Sequence, residues 1–391
     1  MKRLLFSLIL TASGMLAVNA QPVSKDSKAG TVKPLSPAEL IVEKLNPATT
    51  IKNQQQTGTC WCFSGTSFVE SQFLQAGGSS SLDLSEMFTV RNIYKEKAKN
   101  YFLRQGHAQL GEGGLGHDVI RAISLYGAVP QSEFSGLPEG QKYLDHAKLM
   151  KEMQAYLDSE IALGMKGDAD DEAKRDAAVD NILNKYIGNP PAQFTYEGKS
   201  YTPLSFAKNY LKFNAADYVN ITSFTDHPFY EPYIISVPDN FSNGAYYNLP
   251  LDEMTDVVKT ALGKGYTVLW DADVSNNGFN QGVGVALNIP KGVKIKADNA
   301  FTTEEAEATP AIRQKLYEEL ITQDDHLMHI IGLEKNKDGK AFFMVKNSWG
   351  EVGPYKGYIN VSEPYFDINT ISLVVPKASL TKAELEKLHI K

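Results

Sequence analysis

The sequence predicts an α+β fold with a helical front, a helical insertion and a β-rich rear. Three observations carry that reading. Apolar residues recur at helical spacing between Cys60 and Tyr126, apolar and charged residues alternate with helical period from Gln141 to Tyr186, and short strand-like apolar runs begin at Tyr266.

In chain order, a first helix is expected from Cys60 to Ala76, where Gly77 and Gly78 stop it; Phe63, Phe68, Val69, Phe73 and Leu74 give it an uneven apolar face. A second covers about Ser85 to Leu103 and a third about His117 to Tyr126, ahead of Gly127. The insertion, about residues 141–187, is broken at Lys166–Asp171 into a helix pair whose acidic turn, Asp168–Glu172, reads as a solvated face. Tyr266–Trp270, Ile330–Leu333, Ala341–Lys346 and Ile371–Val375 read as strands.

The N-terminus is a targeting segment rather than part of this fold. Lys2 and Arg3 precede an apolar run from Leu4 to Leu10, and Val18-Asn19-Ala20 offers small residues for cleavage before Gln21. Residues 1–20 therefore read as a signal peptide, 21–38 as a flexible leader and 39–391 as the folded domain, giving an exported protein, periplasmic or extracellular. The apolar core is too short to span a bilayer, and no later segment has 18 unbroken apolar residues. Loss of Lys2 and Arg3 lowers the 39 basic residues to 37 against 46 acidic ones, a net of −9. Such a surface repels phosphate, so nucleic acid is not an expected partner. Two cysteines in 391 residues make neither a disulfide framework nor a four-thiolate zinc site, and an ordinary core must hold the fold.

Three separated segments carry chemistry. In Asn53-Gln54-Gln55-Gln56-Thr57-Gly58-Thr59-Cys60-Trp61-Cys62-Phe63, Cys60 stands at a helix start, where unpaired N–H groups and the positive end of the helix dipole favour thiolate. Gln54, six residues upstream, can return its amide beside Cys60 and, with the Cys60 N–H, bind an oxyanion. In Asp324-Asp325-His326-Leu327-Met328-His329, either histidine could act as base; alternation along a strand puts them on opposite faces without choosing between them. In Val345-Lys346-Asn347-Ser348-Trp349-Gly350, an Asn carbonyl can orient an imidazole and a Trp can shield that bond from water.

Taken together, Cys-Trp-x-Phe, a distant His and Asn-Ser-Trp-Gly resemble the papain superfamily of cysteine peptidases. His326 lies 266 residues past Cys60, against roughly 130–150 in that family. The excess is similar to the bleomycin hydrolase and bacterial aminopeptidase C branch, which carries a helical insertion. Leu84–Leu103, Gly111-Glu112-Gly113-Gly114, Tyr126–Pro130, Ile187–Tyr196 with Thr202-Pro203-Leu204, Asp273–Ser275 and Lys356-Gly357-Tyr358 also look like segments of that branch, so the likeness spans roughly residues 45–390. It implies a two-lobed papain-like fold, a helical lobe against a β-barrel-like lobe, and peptide hydrolysis without metal or organic cofactor. It makes Cys60 the nucleophile, Gln54 the oxyanion donor, His326 the base and Asn347 its orienting partner. Gly113, Gly114, Trp61 and Trp349 are implied substrate-binding residues, and His329 a structural one. A ring-shaped homo-hexamer is implied by the same resemblance.

Two departures bear on activity. Cys62 reads as a buried thiol; a Cys60–Cys62 disulfide would strain the helix start, and no second ligand pair supports a metal there. In this branch a C-terminal arm enters the cleft and its carboxylate holds the substrate's α-amino group. Here Thr381 and Glu384 form a capping box, and the sequence given stops at Lys391. The expectation is an aminopeptidase, with an endopeptidase or dipeptidyl peptidase using the same site, or a catalytically silent peptide-binding protein, as alternatives.

Overall fold

The computed structural model describes residues 34–391; the segment expected to be a signal peptide and most of the expected leader lie outside the described residues. Five helices build the front of the molecule: α1 (Cys60–Gln75), α2 (Glu86–Leu103), α3 (Gly116–Tyr126), α4 (Ala147–Gly164) and α5 (Glu172–Tyr186). Their starts follow local chemistry. Ser85 Oγ accepts the Phe88 N–H at the head of α2, and the Asp171 carboxylate accepts the Lys174 N–H at the head of α5.

The insertion packs on the body. Leu149, Met153 and Leu157 of α4 and Val179, Ile182 and Leu183 of α5 join one core with Tyr94, Ala98 and Tyr101 of α2. Arg91 ties α5 down by donating to Asp180 at 3.0 Å and to Asn184 at 2.7 Å.

The rear is one open sheet of eleven strands; among the described residues it does not close into a barrel. Its path runs Pro232–Ile234, Ala245–Asn248, Tyr218–Thr222, Thr370–Pro376, Val268–Ala272, His326–Asn336, Ala341–Lys346, Tyr358–Ser362, Val285–Ala286, Phe279–Asn280, with Leu40–Leu45 added on the far half of His326–Asn336. Alternation along the central strands serves two cores. Leu269, Leu327, Ile371 and Val374 face the helical lobe, whereas Val268, Trp270, Met328, Ile330, Leu373 and Val375 face a second core. That second core is closed by the helices Leu251–Gly263 and Glu363–Asn369 and by Leu380, Leu385, Leu388 and Ile390 from the C-terminal segment. The Thr381–Glu384 capping box is formed there, and Lys387 pairs with Glu253 at 2.8 Å.

The Leu251–Gly263 helix was legible as Leu251, Met254, Val257, Val258, Ala261 and Leu262 at helical spacing, yet it does not figure among the expected elements. The strand expected from Ile330 starts instead at His326, so His326 is its first residue.

Candidate active site

Helix α1 lies across the sheet face that carries Leu327. Ser64 Oγ donates to the Leu327 carbonyl at 2.7 Å, and Ser67 Oγ lies 2.9 Å from His329 Nδ1. This docking sets the first turn of α1 against the start of the His326 strand, and the Leu327 backbone N–H donates to the Cys60 thiol. Thr59, the cap of α1, offers no side-chain bond to the first turn. The positive end of the helix is therefore left to Cys60.

At the first residue of that strand, His326 meets Asn347 and Trp349. His326 Nε2 is 2.8 Å from Asn347 Oδ1, and the imidazole sits 4.7 Å from the Trp349 ring, tilted by 35°. Asn347 cannot be turned over: its Oδ1 accepts the Ser348 N–H at 2.7 Å, and its Nδ2 donates to Gln281 Oε1 at 2.9 Å. An acceptor facing Nε2 requires the proton there, so in the neutral ring Nδ1 is the basic nitrogen. Gln281 was not anticipated; it arrives from a loop with no motif of its own.

Gln54 is held from both ends. Its Nε2 donates to the Thr57 carbonyl at 2.7 Å, its Oε1 accepts from Ser348 Oγ at 2.6 Å, and its backbone N–H donates to Ser348 O at 2.8 Å. The Gln54 turn and the Asn347-Ser348 segment are thus one unit, with one amide hydrogen of Gln54 left for a substrate oxygen.

Gly113 and Gly114 lie in the loop beside α1. A Cβ on Gly114 would meet the Trp61 ring at 3.0 Å, and one on Gly113 would fall 1.9 Å from Asp239 Oδ2, so only glycine permits these approaches. Trp61, expected to touch substrate, does not line the cleft. It is fully buried, its ring lies beneath Gly114, and its Nε1–H donates to the Glu112 carbonyl at 2.9 Å. Its part is to support the loop from below. Trp349, by contrast, is half-buried at the cleft, edge-on to Phe279.

The electrostatics differ from the thiolate expected at a helix start. Burial first, then the negative charges of Asp271, Asp324 and Asp239, push the Cys60 thiol up to about 12. Burial pulls His326 down to about 4 against the opposing pull of Asn347. The helix end is outweighed: burial pushes the thiol and the imidazole each toward its neutral form.

Cys62 and His329 occupy other surroundings. Cys62 is fully buried and its Sγ donates to the Glu86 carbonyl at 3.2 Å. His329 is fully buried in a chain running through Ser67 and Lys346 to Thr49 and Glu70.

Sequence comparison agrees with this architecture. Residues 107–391 match the model of the Peptidase C1-like family, and residues 40–99 match that of the papain family of cysteine proteases. The chain is 26% identical over 377 residues to aminopeptidase C of Streptococcus thermophilus, covering 86% of this chain and 82% of the relative. It is 25% identical over 419 residues to aminopeptidase C of Listeria innocua, covering 98% and 90%. Among solved structures it is similar to PepW from Lactobacillus rhamnosis, with a TM-score of 0.70 at 22% identity, covering 89% of this chain and 84% of that one. Nearly three quarters of the chain falls under one family model: it belongs to the Peptidase C1-like family and is a cysteine peptidase of the papain superfamily, on the aminopeptidase C branch.

Proposed function

We propose that this peptidase is an aminopeptidase that works through a Cys60 thioester. The observation that supports it most directly is the pairing of His326 Nε2 with Asn347 Oδ1 beside Trp349, on the strand whose next backbone N–H touches the Cys60 thiol. In this reading His326 Nδ1 takes the thiol proton as sulfur attacks the peptide carbonyl. The developing oxyanion is held by the Cys60 N–H and the free Gln54 amide hydrogen. The proton passes to the leaving amine, and water then attacks the thioester with His326 again as base. A pair pushed toward its neutral forms suits this sequence, because the charge separation is created only as sulfur attacks.

One observation favours a second reading. The described C-terminal residues Lys382–Lys391 dock beside the Leu251–Gly263 helix, on the sheet face opposite α1, rather than near Cys60. A cleft without that segment would also admit N-blocked peptides, as an endopeptidase does. The test is a peptide amide with a free α-amine beside its N-acetylated twin, under reducing conditions. Cleavage of the free amine alone supports the aminopeptidase; comparable cleavage of both overturns it in favour of the second reading.

A further inference from the structure

Three carboxylates from distant segments converge on the Cys60 side of the cleft. Asp271 stands opposite Leu327 on one flank of its strand and opposite Ser372 on the other. Leu327 is the residue whose backbone N–H reaches the Cys60 thiol, so Asp271 is one strand away from the sulfur. Asp271 is 1% exposed, and its Oδ2 accepts from Ser372 Oγ at 3.2 Å. Its Oδ1 is enclosed and receives no hydrogen bond from any amide, hydroxyl or cationic group, and the same holds for Asp324 Oδ2.

The two carboxyls face each other closely enough to share a proton; burial, with the charge of Asp324 acting on Asp271 and that of Asp239 acting on Asp324, holds both above the usual carboxylate range. Asp239 completes the group: its backbone N–H donates to Asp324, and Gln109 Nε2 donates to its Oδ1 at 3.0 Å. The glycine at 113 lets this carboxylate lie against the loop. Lys97 donates to the carbonyls of Gly111 (3.0 Å) and Gly113, and from there its charge acts on Asp239 and Asp324 without a hydrogen bond to either.

Enclosed acceptors without donors are costly, and a shared proton removes only part of the charge. A ligand bringing several N–H donors and a positive charge would satisfy both needs. Among the described residues no group of three or more His, Cys, Asp or Glu side chains is placed to hold a metal ion.

We propose that Asp271 and Asp324, backed by Asp239, form the binding site for a substrate ammonium group, holding the amino terminus of the peptide beside Cys60. The α-ammonium assignment rests on the aminopeptidase reading above; a lysine side chain offers the same chemistry. Nothing but proton exchange occurs at the site: substrate enters as R–NH3+, and no bond is made or broken there.

The experiment uses the purified full chain and its Asp324→Asn and Asp271→Asn variants, which keep the shape of the protonated carboxyl. Substrates are a leucyl amide, its N-acetyl twin, and N-acetyl dipeptide amides with lysine or leucine at the first position. A cooperative thermal unfolding transition with the wild-type far-UV circular dichroism spectrum establishes that each variant is folded. The expected result is that wild type prefers the free amine and that either substitution lowers kcat/KM on it roughly 30-fold or more, mostly through KM, with little change on the acetylated twin. A wild-type preference that both variants keep overturns the carboxylate site and leaves the aminopeptidase reading standing. No preference in wild type overturns that reading; a preference for the blocked lysine peptide that the variants lose then gives the same site a side-chain ammonium, and its absence overturns the site as well. Should either variant fail to fold, Asp239→Asn, at a half-buried position, carries the same expectation.

Discussion

Two pairs of identical side chains sit within a few residues of each other, and the members of each pair live in different worlds. Cys60 and Cys62 share one helical turn, and His326 and His329 share one strand. Cys60 stands at the open end of α1 against the strand, whereas Cys62 points into the helical lobe and donates to a backbone carbonyl of α2. His326 faces Asn347 and Trp349; His329 faces Ser67 and is enclosed with Lys346. Two residues along a helix turn a side chain by about 200°, and three along a strand reverse its face. Residue type alone thus says little about chemistry here; angular position does.

The sharpest way to break this contrast is at the cysteines. Cys60→Ala is expected to lower kcat by roughly 10⁴-fold or more with the melting temperature nearly unchanged, measured by peptide-amide turnover and thermal unfolding. Cys62→Ala should do the reverse, retaining kcat while losing about 1–3 kcal/mol of stability from a fully buried site. Turnover surviving in Cys60→Ala would remove the nucleophile assignment outright.

The histidines should separate in the same sense by a smaller margin. His326→Ala is expected to cost about 10²–10⁴-fold in kcat. His329→Ala should leave kcat within a few-fold and lower stability by about 1–3 kcal/mol, since Ser67 loses a buried partner. The pH profile gives an independent check. Only the neutral imidazole can accept the thiol proton, and His326 is pulled down to about 4, so kcat/KM should rise through an acid limb near pH 4 rather than near 6.5. A larger kcat loss at His329 than at His326 would transfer the role of base.

What the sequence made legible follows from the same geometry. Cys60, His326, Asn347 and Gln54 lie in short contiguous motifs, and the helices bearing Ser85 and Asp171 caps announce themselves by residue type and period. The fate of Trp61 did not, because one step along α1 turned it under the Gly113-Gly114 loop instead of into the cleft. The carboxylate group was invisible for another reason. Asp239, Asp271 and Asp324 belong to three segments that meet only through strand register and a loop folded against the glycines. Gln281 and the Lys346–Ser67–His329 chain escape notice likewise. The strand Leu40–Leu45 has no clean alternation because most of its side chains are not buried.

The smallest expected effect tests the contrast between the acidic flank and the buried catalytic pair through stability. Asp324 is pushed up to about 7, by burial and by the charge of Asp239, from roughly 3.9 in an unfolded chain. Between about pH 4 and 7 the native protein therefore holds more protons than the unfolded one, and stability must fall as pH rises through that window. Asp324→Asn removes this linkage while keeping the side chain's shape. Its melting temperature should decline less than that of wild type between pH 5 and 8, by on the order of a few degrees. The decline should be reduced rather than abolished, because Glu86 and Glu334, both raised to about 7, and Asp367, raised to about 6, impose the same slope from elsewhere in the fold. Parallel melting curves for wild type and variant across that range would mean that Asp324 is already ionised in the native protein. Its charge would then have to be balanced within the cleft before any substrate arrives.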